Sequence, residues 1–179
     1  MKAREARIKA TTLIWSAVLL LAVGAITGIT LKNQSESLIS SDAEKLRRVF
    51  IAWQLYREDH FGSIPPNLLT IRYRLQNDMD LRSVRDGSPE GEHPIDPFLP
   101  NSPKSLVRVS FAYAPLHMSP NEFETQSRSP KFGLIANPWP GGVSNGKPIG
   151  AVQRLSVLGS ITVVPQPKGR DLTSQLFLP

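Results

Sequence analysis

The amino-acid pattern predicts an α+β fold: a long N-terminal helix, transmembrane in its first half, with a small antiparallel β-sheet packed on its second half. Three observations predict it. Ala10 to Leu31 runs for twenty-two residues without a charge or a proline. A helical apolar period follows over residues 38 to 60. All sixteen prolines fall from Pro65 onward, where short alternating apolar runs take over. Proline removes a backbone donor and clashes with the preceding turn, so its absence permits a long helix and its density forbids one.

At about 1.5 Å per residue the apolar run spans roughly 33 Å, enough for a bilayer core of about 30 Å. Residues 1–10 form a basic tip. Lys2, Arg4, Arg7 and Lys9 against Glu5 carry half of the formal charge of +6. Positive charge beside an apolar helix stays on the cytoplasmic side. The expected location is therefore a bacterial inner membrane, single-pass, with the amino end inside and the C-terminal domain periplasmic. The rest of the chain holds 17 Lys and Arg against 14 Asp and Glu, too even a balance to point to nucleic acid. Three outcomes stay open for the start: an uncleaved anchor, a pilin-type helix cut just before the apolar run, or a secretory signal removed after Val23-Gly24-Ala25.

Residues 32–62 read as the amphipathic continuation of the helix. Leu38, Ile39, Leu46, Val49, Phe50, Trp53 and Tyr56 recur at three- and four-residue steps and share one face. Leu46, Val49, Phe50, Trp53 and Tyr56 are the residues expected to pack under the sheet. Ser41-Asp42-Ala43-Glu44 has capping-box form, so either a fresh helix starts there or one continuous helix passes through. Gly62 is a natural stop, and Pro65-Pro66 prevents continuation.

Residues 63–179 read as a proline-rich globular domain. Asn67 to Gln76 is a short helical candidate, residues 77 to 105 and 115 to 130 are loops, and Leu106 to Ala114 alternates as a strand. Phe132 to Ala136 is a further strand, and Pro138 to Pro148 a turn region. Val152 to Val157 and Ile161 to Val164 form a hairpin around Leu158-Gly159-Ser160. The tail from Pro165 is polar apart from Leu172, Leu176, Phe177 and Leu178.

No constellation supports an enzyme or a small-molecule substrate. There is no cysteine, hence no thiolate nucleophile or disulfide. Neither Ser41 nor Ser160 sits in a Gly-x-Ser-x-Gly elbow, and His60, His93 and His117 lack triad-like context. Glu58-Asp59-His60 reads as a solvated helix end, because adjacent helical residues do not face one another. Glu92 to Asp96 places ligand-type residues in a loop without metal-site spacing. Arg72, Arg74, Arg82 and Arg85 are offset by Asp78, Asp80 and Asp86.

The order of basic tip, lipid-length helix, amphipathic half, loop and strands resembles the type IV pilin superfamily. More narrowly it resembles the major pseudopilin of type II secretion systems. Thr12-Leu13-Ile14 is similar to the pilin cleavage region. Leu46-Arg47-Arg48 and Leu55 to Gly62, followed by Ile64-Pro65-Pro66, resemble the family's helix end. Asp96-Pro97-Phe98 resembles its Asp-Pro-Trp segment. Arg154 to Ile161 lies where its members carry a strand, an Asp-Gly-His turn and a strand. Ala10 and Thr11 stand at the processing site, where the family has Gly before an aromatic. Trp15 stands in place of the family's Glu, and Leu158 and Ser160 in place of the turn's Asp and His.

The resemblance implies a non-enzymatic pilin-like or pseudopilin subunit of a type II secretion or type IV pilus-like apparatus. It would assemble through the apolar helix, with Leu13, Ile14, Trp15, Val18 and Leu21 giving membrane and helix–helix surface. Gly24 and Gly28 form a small-xxx-small pair that allows close approach. Its partners would be the membrane and other pilin-like subunits or secretion-apparatus proteins. The alternative is a singly anchored extracytoplasmic binding or scaffold domain that forms no filament. The major pseudopilins bind calcium in a loop of the globular domain, and Asp78, Asp80 and Asp86-Gly87 resemble part of a calcium loop. That spacing lacks a third ligand between Asp80 and Asp86, so no cofactor is expected.

Overall fold

The computed structural model describes residues 34, 36–99, 101–139, 143–144, 147–148, 150–165 and 171–178. The expected membrane helix over 11–31 lies outside them. Among the described residues no helix is long and apolar enough to cross a membrane. Two units divide the chain, Met1–Ser37 and Leu38–Pro179, and the second is a mixed α+β structure of helices and antiparallel sheets.

Helix α1 is helical at every described residue over 36–59 and runs straight through Ser41-Asp42-Ala43-Glu44. The capping-box reading fails there because Asp42 is fully buried and its carboxylate serves residues far along the chain. The helix closes with a six-to-one bond from Gly62 N to Arg57 O. Phe61 (φ 54°) and Gly62 (φ 84°) both take left-handed backbone.

Asn67 then caps a 3-10 helix, Leu68–Arg74, its side chain accepting from Thr70 N. Leu68 and Ile71 are its buried residues. They stand three apart, the spacing that eclipses in a three-residue turn, which suits 3-10 rather than α geometry. A second 3-10 helix, Asp78–Leu81, and a short ladder of β1 (His93–Pro94) with β2 (Lys104–Ser105) organise the segment read as loop.

The main sheet has the order β3-β4-β7-β8, every pair antiparallel. Its strands are β3 (Ala112–Tyr113), β4 (Gly133–Asn137), β7 (Val152–Ser156) and β8 (Ile161–Val164). A separate ladder joins β5 (Val143–Ser144) to β6 (Lys147–Pro148). Of the strand expected over Leu106 to Ala114, only two residues pair. The backbone before them is used elsewhere: Ser110 N donates to Leu81 O. The expected alternation fails too, since Arg108 and Ser110 are as buried as Val109 and Phe111.

The expected loop over 115 to 130 holds two helices, α2 (Ala114–His117) and α3 (Pro120–Gln126). Helix α3 has a complete capping box, Ser119 with Glu122, and proline in its first turn. The tail forms α4 (Leu172–Phe177), capped by Asp171, with Leu176 and Phe177 buried.

Strands β4 and β7 are buried at every position, which explains why Gln153, Arg154 and Ser156 interrupt an apolar pattern. One face carries Asn137 and Gln153, which donate to the Asp42 carboxylate and the Ile39 carbonyl of α1. The other carries Arg154, whose Nη2 donates to the Gln175 carbonyl of α4. A strand contacted on both faces loses the hydrophobic-in, polar-out rhythm.

Gly159 turns the β7–β8 hairpin at φ 81°, as the sequence suggests, and does a second job. A Cβ there would stand 2.6 Å from Phe50 Cε1. Gly159→Ala is therefore expected to destabilise by about 2–3 kcal/mol, left-handed strain and overpacking together. Urea unfolding reads this directly. Phe50→Leu in the same background should return part of the loss, whereas purely additive effects would show that the ring does not impose the limit.

Candidate functional site

The face chosen from the helical period lies as follows. Leu46, Val49 and Trp53 are buried, and Phe50 and Tyr56 are partly buried. Phe50 stacks on Trp53 at 6.0 Å between ring centroids, and Tyr56 on His60 at 3.9 Å. Leu46, Val49, Ala52 and Trp53 share one core cluster with Phe111, Tyr113, Leu134, Ile135 and Leu155. A polar relay crosses it. Trp53 Nε1 donates to Tyr113 Oη (3.0 Å), which donates to Pro65 O (3.1 Å). Burial pushes the Tyr113 hydroxyl far above its ordinary pKa, so it stays a donor at any physiological pH. Arg57 lies over the Trp53 ring at 4.8 Å, on the wall of a groove of about 760 Å³ that Pro65, Pro66, Pro115, Pro120 and Phe123 also line.

Four aspartates stitch residues 77–105 to the core. Asp96 is wholly buried. Its Oδ1 accepts from Phe98 N (2.9 Å), and its Oδ2 from Tyr113 N and His117 Nε2 (3.0 Å each). Asp42 accepts from Ser83 Oγ, Val84 N and Asn137 Nδ2. Asp80 Oδ1 accepts from Arg48 Nε and Nη2. Asp86 accepts from Ser110 Oγ on Oδ2 and from Ser88 N and Oγ on Oδ1. Arg108 Nη1 stands 3.9 Å away, and its Nη2 donates to the Ser88 and Pro89 carbonyls.

Burial alone would raise the Asp86 pKa, but the Ser110 and Ser88 hydrogen bonds and the Arg108 charge outweigh it and hold the carboxyl below its ordinary range. A depressed folded-state pKa contributes stability that is fully present above the unfolded value, about 3.9, and is lost as pH falls through the folded one. Ser110→Ala is expected to remove about 1 kcal/mol at pH 7 and less below pH 4, so the two unfolding curves converge in acid. A constant gap from pH 7 to pH 3 would show that Ser110 acts through packing alone.

The calcium candidates are not gathered around one point. Asp80 is spent on Arg48 and Asp86 on Ser88 and Ser110. Among the described residues no group of three or more His, Asp or Glu is placed to hold a metal ion. His60 is exposed at the helix end, its Nδ1 on Tyr56 O. His93 Nε2 meets Arg108 Nη2 at 3.2 Å. His117 pairs with Asp96, with side chains 3% and 0% exposed, and its ring tilts against Phe177. The pair is enclosed by the fold and ties Asp96 to helix α2.

Ala10, Thr11, Leu13, Ile14, Trp15, Val18, Leu21, Gly24 and Gly28 lie outside the described residues. Leu158 sits exposed at the hairpin turn, and Ser160 Oγ meets Ser156 Oγ at 2.7 Å. Sequence reasoning missed the anchoring roles of Asp42, Asp86 and Asp96. Asp86, before Gly87, and Asp96, before Pro97, carried a local signal, because Asp in a turn dipeptide favours a side-chain turn onto the residue two further on. Compared with models of protein families, with curated proteins and with solved structures, the chain matches none.

Proposed function

We propose that this chain is a non-enzymatic, pilin-like subunit of a type II secretion or type IV pilus-like apparatus. Its apolar segment over 11–31 is the membrane and assembly helix, and the unit beyond it is the periplasmic part, with the sheet packed on the second half of the helix. One observation carries the reading. The amphipathic stretch that follows the apolar run puts Leu46, Val49 and Trp53 into the same core as strand residues Tyr113, Ile135 and Leu155. A helix integral to the fold it precedes is what a subunit needs if displacement of its membrane end is to move the domain as one body. An apolar rod lifted from lipid must bury its surface against neighbours, at about 25 cal/mol per Å².

Mass spectrometry of the mature amino terminus is the first test. A start at Thr11 supports prepilin processing, and a start at Ile26 overturns the proposal in favour of secretion. Single cysteines at Val18 and Ile26 give the second test, and the absence of native cysteine makes any crosslink unambiguous. A ladder of crosslinked species in the membrane supports assembly. A strictly monomeric result overturns it and leaves the singly anchored scaffold.

A further inference from the structure

The groove beside Trp53 is walled mainly by carbon. Its volume is about 760 Å³, within the range of small-molecule sites, roughly 300–1,000 Å³. Four of its lining residues are prolines, Pro65, Pro66, Pro115 and Pro120, and a proline offers no N–H. Phe123 adds an aromatic ring. Trp53 contributes ring surface rather than a donor, because its indole N–H is spent on Tyr113 Oη. A polypeptide laid here would bring amide groups to walls poor in donors, at a cost for each one left unpaired. The lining therefore favours an apolar body without amides.

Two charged side chains line the groove, and their circumstances differ. Glu124 is 73% exposed and already paired, its Oε1 accepting from Arg128 Nη2 at 3.0 Å. Arg57 has no carboxylate partner among the described residues. Its guanidinium is nevertheless held in place. It lies over the Trp53 ring at 4.8 Å, and its Nε donates to Gly62 O at 3.2 Å. The two Nη groups then form a fork that matches the two oxygens of a carboxylate. One guanidinium balances one negative charge, which suits a carboxylate better than a phosphate near −2.

We propose that this groove binds a small amphiphilic monocarboxylate, with its apolar body against Trp53, Phe123 and the prolines and its carboxylate on the Arg57 Nη groups. Removal of the apolar body from water gives most of the affinity. Arg57 selects the charge of the ligand. The site lies wholly within the unit Leu38–Pro179, so it stands independently of how the amino-terminal helix is processed or assembled.

The test uses the full 179-residue chain in lipid nanodiscs, where no detergent competes for the groove. The probes are phenylbutyrate, phenylbutanol and phenylbutylamine, which share one apolar body and differ in charge. Equilibrium dialysis gives the affinities, with empty nanodiscs correcting for uptake by lipid. Phenylbutyrate is expected to bind about two- to fivefold tighter than phenylbutanol, and phenylbutylamine more weakly than both. Arg57→Gln should erase the advantage of the acid and leave the alcohol unchanged. Arg57→Glu should reverse the order of acid and amine. Arg57 is exposed, so both variants should keep the fold. Should either unfold the domain, Ser127→Phe still decides, because filling the groove should remove binding of all three probes. Equal affinity for the three probes overturns the proposal, as does the absence of phenylbutyrate binding. An acid that binds a folded Arg57→Gln as well as the wild type, or binding that survives Ser127→Phe in a folded protein, overturns it too.

Discussion

Replacing Asp96 by alanine is expected to cost about 3–5 kcal/mol, the range for leaving buried partners of a charged group unpaired. The carboxylate is 0% exposed and three donors converge on it: Phe98 N, Tyr113 N and His117 Nε2. Its removal leaves all three without this acceptor. Asparagine is no remedy. Its amide oxygen can serve Phe98 N, but its NH₂ then opposes the Tyr113 N–H, donor against donor, so Asp96→Asn should lose most of the same energy. The measurement is the urea midpoint, with the slope checked for constancy so that stability alone is compared. A cost under 1 kcal/mol for Asp96→Ala would mean that water replaces the carboxylate and that the 77–105 segment is not pinned through it.

That prediction marks the boundary between what the sequence reveals and what it hides. The α1 face was legible because a helix repeats every 3.6 residues, and Leu46, Val49 and Trp53 carry the repeat. The β7–β8 hairpin was legible because Gly159 sits between two runs of β-branched and apolar residues. Helix α3 was legible in principle. Ser119 followed by Glu122 is a capping box, but the surrounding polar residues gave no apolar period to draw attention to it. The strand expected over Leu106 to Ala114 failed outside Ala112–Tyr113 for a different reason. Its alternation is genuine, yet Arg108 and Ser110 turn inward to the Asp86 loop because that loop presents carbonyls and a carboxylate to them. The aspartate anchors are the least legible feature. Asp42 meets Asn137 across 95 residues and Asp96 meets His117 across 21, and no local pattern encodes partners that only the finished fold brings together.

Asp42 gives the second large effect, and it separates two views of α1. If the helix began at Ser41, the Ser41 side chain would cap it, Ser41→Ala would cost about 1 kcal/mol, and Asp42→Ala would matter little. The structure reverses this order. Ser41 is exposed within a continuing helix, while Asp42 is 0% exposed and accepts from Ser83 Oγ (2.6 Å), Val84 N (2.9 Å) and Asn137 Nδ2 (2.9 Å). Asp42→Ala is expected to destabilise by about 3–4 kcal/mol, and Ser41→Ala by no more than about 0.5 kcal/mol. Asn137 also reaches Gln153 Oε1, and Gln153 in turn donates to Ile39 O. One carboxylate thus joins α1 to the Ser83–Val84 turn and, through Asn137, to β4 and β7. Asp42→Ala should therefore speed hydrogen exchange over α1, the 83–84 turn and β4 together. Loss confined to the 83–84 turn, with α1 and β4 still protected, would show that the helix is held to the sheet by its apolar face alone. A subunit relying on α1 to transmit displacement would then not depend on this polar anchor.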